Sequence, residues 1–171
     1  MGPAIFRNVN VESLKTNDLL IIWGALFDRV KLSGELGKFK INHFVHHVDR
    51  TSATQGPFDE IREGFYRSVE WALDISQARF VEFECRGIPA KLIRHDPQSQ
   101  VVVTRERAMR PGWRERLSSS NTLWPFAIDM FLQDGDADRV FAAPLGASKS
   151  KREALLAGLR ELRALEVAEP I

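Results

Sequence analysis

Between Arg79 and Glu106 the chain reads RFVEFECRGIPAKLIRHDPQSQVVVTRE, and this stretch constrains the fold more than any other. Val81, Phe83 and Cys85 alternate with Glu82, Glu84 and Arg86. A period of two sends successive side chains to opposite faces of a strand, and an apolar face opposite a charged one suits a sheet that is packed on one side. Phe80 breaks the alternation. Arg86-Gly87 can turn the chain, and Pro89, which cannot donate to a ladder, belongs at the start of the next run. Asp96-Pro97-Gln98-Ser99 is a turn signal. Val101, Val102 and Val103 make a third, β-branched run. The expectation is an α+β fold: a three-stranded antiparallel β-meander over about 79–106, covered by N- and C-terminal helices.

The flanks read mostly as helix. Residues 1–12 are weakly patterned, an arm or an edge strand. Thr16-Asn17-Asp18 resembles a helix N-cap, and Leu19–Val30, apolar on nearly every side, reads as a buried helix. Phe39–Asp49 fits both periods, and helix is preferred. Pro57 opens a further helix, with Phe58, Ile61, Phe65, Val69 and Leu73 as its apolar stripe. Arg107–Ser120 reads as an exposed connection. Leu123–Leu132 is an apolar helix with Gly135 as its C-cap. The final helix, 150–168, has a Ser150/Glu153 capping box and a stripe of Leu155, Leu156, Leu159, Leu162 and Leu165. At 171 residues a single domain, 1–171, is expected.

Composition narrows the function classes. A net charge of +1 does not advertise nucleic acid or membrane for the molecule as a whole. The lone Cys85 excludes an internal disulfide framework and a multi-cysteine zinc site, which fits a reducing, cytoplasmic setting. No charged start leads into an apolar leader, and no apolar run approaches the ~20 residues of a membrane span.

Motifs with chemistry are few. His43, His46 and His47 fall in HFVHH, where His43 and His47 would sit one helical turn apart, a metal-ligand spacing. A metal-dependent enzyme centred there would need a third ligand, from Asp49 or His95. Asp134, Asp136 and Asp138 begin a calcium-loop spacing, but Arg139 and Leu145 stand where glycine and glutamate are needed. Gly146 to Ser150 lacks the glycine that precedes a phosphate-loop lysine. Cys85, on an apolar face, reads as structural. No cofactor is implied.

The clearest local bias is positive. Arg86 to Arg116 carries eight cationic side chains against three carboxylates, and Trp113 lies among the arginines. Arg105, Arg107, Arg110, Trp113, Arg114 and Arg116 suit phosphate contact with base stacking, and equally a protein interface. Leu155, Leu159 and Leu162 offer a helix face for self-association. The leading expectation is a non-catalytic binding or regulatory module acting through protein contacts. The alternatives are nucleic-acid binding through 105–116 and a metal enzyme on the histidines.

Overall fold

The computed structural model describes residues 2–15, 18–45 and 51–170. It is α+β, but residues 79–106 do not form an antiparallel meander. The strands β1 (Ile5–Glu12), β2 (Leu19–Trp23), β3 (Leu26–Asn42), β4 (Leu73–Cys85) and β5 (Ile93–Arg94) form one sheet in which every pairing is parallel. Both β1 and β2 lie along the same edge of β3, β1 beside its first half and β2 beside its second. Ile5 sits beside Leu26 and Leu19 beside Lys38, so the step from β1 and β2 to β3 advances the chain by about 20 residues, like a turn of a coil, whereas the step from β3 to β4, Val30 beside Leu73, is about twice as long.

The rungs stack like on like. Val9, Val30, Leu73 and Ile93 form one column, and Leu20, Phe39 and Phe83 another. Val30, Leu73 and Ile93 are buried, and so are Ile41 and Cys85, which stand side by side in β3 and β4. On the outer side, Lys40 faces Glu84 and Glu35 faces Arg79.

This winding explains why Leu19–Val30 reads as a helix and is not one. Its apolarity on all sides marks no helix: Leu26, Phe27 and Val30 are buried in the core, whereas Leu19 and Trp23 of β2 stay exposed. The stretch is broken by Gly24 and Arg29, both at positive φ, 59° and 55°. The left-handed region interrupts a right-handed helix. Phe39–Asp49 is strand through Asn42, and residues 46–50 lie outside those described. Residues 16 and 17 of the expected N-cap do as well. Residues 5–12 form an edge strand.

Helix α1 (Ser52–Tyr66) connects β3 to β4 and begins ahead of Pro57. After β5 the chain forms β6 (Gln100–Thr104), the short α2 (Arg105–Ala108), α3 (Leu123–Asp134), β7 (Asp138–Ala142) and α4 (Lys149–Ala164). Strand β6 pairs antiparallel with β7, not with its sequence neighbour β5. The valine run is continuous because both faces of this pair are buried. Val102 and Val140 join the core of the parallel sheet, whereas Val101, Val103 and Phe141 join a second core with α3 and α4. Gly135 ends α3 with φ 85°, the expected left-handed cap. Helix α4 starts at Lys149 and stops at Ala164, and its N-cap, Ser148, makes no side-chain cap bond. Among the described residues no helix is long and apolar enough to cross a membrane.

Candidate functional site

Helix α3 carries two apolar stripes. Trp124, Ile128 and Phe131 follow helical spacing into the second core and are buried. Leu123, Phe126, Ala127 and Met130 form the other stripe at i, i+3, i+4, i+7, and they line a cleft of about 510 Å3. Phe126 is 63% exposed and Leu123 42%. The opposite wall is β4, which contributes Val81, 41% exposed, and Phe83. The period-two reading puts Val81 with Phe83 and Cys85 on one face. In the fold, Phe80 is buried instead, because Leu36 to Phe39 in β3 and Phe80 to Phe83 in β4 both step by three and reset the alternation.

One end of the cleft is ionic. Lys40 Nζ lies 2.9 Å from Glu82 and 3.3 Å from Glu84. Arg86 pairs with Glu84 and reaches Asp134 Oδ1 at 2.8 Å. Arg139, 4% exposed, donates to Asp134 at 2.8 Å and to Asp136 at 2.7 Å, with its guanidinium 5.2 Å from the Phe131 ring centre. Burial pushes the Glu84 carboxyl up, but Arg86 and Lys40 outweigh it and hold it below its ordinary value. Burial likewise disfavours charged Arg139, and Asp136 and Asp134 outweigh it. The acidic turn at 134–138 is thus a clamp between the sheet and α3.

A second cleft, of about 430 Å3, sets Arg62, Arg67 and Lys91 among Glu63, Asp136 and Asp138. Tyr66, at its wall, accepts a hydrogen bond from the Phe27 N–H at 3.3 Å, and burial pushes its phenol up.

The arginine segment is largely engaged within the fold. Trp113 is 3% exposed and donates from Nε1 to the Ala108 carbonyl at 3.0 Å. Arg105 donates to the carbonyls of Asp136 and Leu132, at 3.0 and 2.9 Å. Arg107 donates to the Glu166 carbonyl, and Arg110 pairs with Glu106. Arg114 covers the Trp113 ring at 4.2 Å and pairs with Asp129. Arg116 is exposed. Residues 107–120 therefore do not form a wholly exposed connection. On α4, Leu159 and Leu162 are buried in the second core and Leu155 packs half-buried against it.

Of the histidines, His46 and His47 lie outside the described residues. His43 packs its ring 4.2 Å from that of Phe44, and its Nδ1 is buried with no hydrogen-bond partner. Burial and then Arg62 hold its pKa below the ordinary histidine value. His95 Nδ1 meets the Ile93 carbonyl at 3.3 Å. Among the described residues, no three histidine, cysteine or acidic side chains are grouped to hold a metal ion. Cys85 is buried and its thiol is pushed up by that burial.

No family model, curated protein or solved structure matches the chain.

The charged face of Glu82, Glu84 and Arg86 is legible from alternation. The second stripe of α3 was also open to periodicity, since 123, 126, 127 and 130 follow the same rule as 124, 128 and 131. Lys40 has no local signal, because Glu82 and Glu84 are distant in sequence. Arg139 pairs with the nearby Asp134 and Asp136, and what the sequence does not show is that this turn meets Arg86 at the end of β4.

Proposed function

We propose that this chain is a non-catalytic binding module acting through protein contacts, and that its contact surface is the cleft between β4 and α3. One observation carries the reading: Val81, Leu123 and Phe126 stand exposed on facing walls of one concavity. Aromatic side chains such as Phe126 are enriched in interface cores, and binding energy concentrates in well-packed pockets that exclude water. The occupant is an apolar side chain of a partner, entering between Phe126 and Val81. The ionic end, where Lys40 is already bridged by Glu82 and Glu84, sets a polar boundary to the apolar seat.

Site-specific photo-crosslinking tests this. A benzophenone side chain replacing Phe126 gives a discrete protein adduct in the source cells. The same probe replacing Met109, 66% exposed and outside the cleft, gives none. Identical adduct patterns from the two positions, or none from either, count against the cleft.

The nucleic-acid reading of 105–116 has less support, since the Trp113 ring lies in the core beneath Arg114. Anisotropy with short DNA and RNA at low salt decides it.

A further inference from the structure

The two ends of the parallel sheet are finished differently. At the end formed by β4, the second half of the chain closes the rung. Gln100 Nε2 donates to the Ile75 carbonyl at 2.9 Å, the Gly146 N–H donates to the Phe80 carbonyl at 2.8 Å, and β5 pairs with Leu73 and Asp74. At the other end, β1 and β2 pair only with β3 among the described residues. Their outer edges hold a row of backbone donors and acceptors, a template for another strand. The apolar columns stop there as well: Val9, Val11, Leu20 and Ile22 are only partly buried, and Ile5 and Phe6 are exposed.

We propose that the β1/β2 end is a self-association surface, on which a second copy of this chain stacks its own β1/β2 end, antiparallel and about a two-fold axis. A bare β edge takes an extended strand, because only a strand matches its repeat of donors and acceptors. Head-to-tail stacking of copies is blocked, since the β4 end is occupied by Gln100, Gly146 and β5. Contact between copies is therefore head-to-head, which closes as a dimer and does not propagate. Charge fits that sense. Arg7, which bridges Asp28 of β3 at 2.8 Å and keeps the rest of its guanidinium exposed, and the exposed Glu12 sit near opposite ends of β1. Reversing the second strand brings each Arg7 end beside the partner's Glu12 end, whereas a parallel copy would face like charges.

Asn10 provides the test. The Ser13 N–H donates to the Ser33 carbonyl at 2.9 Å, so by strand alternation the Val11 and Val9 N–H groups point at β3 and those of Glu12 and Asn10 point outward. Proline is tolerated on an edge strand where the lost N–H faced away from the sheet. The wild-type chain scatters light at twice the single-chain mass. Asn10→Pro gives single-chain mass with an unchanged far-UV circular dichroism spectrum. Asn10→Cys, the one exposed thiol beside buried Cys85, forms a chain-to-chain disulfide on mild oxidation. Phe126→Asp leaves the mass unchanged, which separates this surface from the cleft. A wild-type monomer at the highest soluble concentration overturns the proposal, and so does a dimer that survives Asn10→Pro. If Asn10→Pro unfolds the chain, the Asn10→Cys crosslink decides, and its absence in a dimeric protein overturns the proposal.

Discussion

The buried Arg139 on β7 and the half-buried Asp134 at the end of α3 form an ion pair at 2.8 Å, and Asp134 also receives Arg86 from the end of β4. Through this one carboxylate the parallel sheet, α3 and β7 are held in a single arrangement, and the cleft between β4 and α3 takes its shape from it.

Removing one partner of that cluster is expected to be costly. Arg139→Met takes the buried cation from Asp136 and leaves Asp134 with Arg86 alone, a loss on the order of 3 kcal/mol. The triple variant that adds Asp134→Leu and Asp136→Asn recovers much of it. Urea unfolding measures both. Equal stability of the single and triple variants contradicts the role given to the pair.

Trp113 gives a second prediction. Its ring is in the core, so Trp113→Ala should lower stability by about 3–5 kcal/mol. Denaturant titration checks the size. A loss under 1 kcal/mol would mean that the ring is solvated and free to stack.

Gly158 tests helix packing. An added Cβ would lie 2.6 Å from Trp124 Cδ1, and Trp124 Nε1 donates to the Leu155 carbonyl in the same place at 2.9 Å. Helix propensity alone favours Gly158→Ala by about 1 kcal/mol. Overpacking costs about 1–3 kcal/mol, so the variant should melt below wild type.

How much of this was legible follows from where the signals are local. Helices α1, α3 and α4 carry their own periods, and Gly135 marks its cap by residue type. The coil does not announce itself. Asn8 and Arg29 turn adjacent rungs at positive φ with residues that look ordinary in sequence. Val30 pairs with Leu73 across the whole of α1, and parallel pairing between such distant segments leaves no turn to read. The valine run suggested a strand correctly, but its partner, β7, lies beyond α3. At the cleft, residue type showed the charges of β4 and the apolarity of α3, but nothing local brings the two together.

His43 makes stability pH-dependent. Burial lowers its pKa in the folded state, so the unfolded chain binds the proton more readily. Stability contributed by this residue is present above the unfolded value of about 6.5. It is lost as pH falls below that value and levels off beneath the folded pKa. Thermal melts from pH 7.5 to 5 should show a shallower decline for His43→Phe than for wild type. Parallel curves would contradict the assignment.

The claim that the β4–α3 cleft is a protein contact surface is tested most directly by partner affinity. With the protein crosslinked from position 126 in hand, titration calorimetry compares wild type, Phe126→Asp and Met109→Asp. Loss of a central aromatic anchor costs about 2 kcal/mol or more, so Phe126→Asp should weaken binding by more than about tenfold, with Met109→Asp unchanged. Equal affinity across all three proteins would contradict the account.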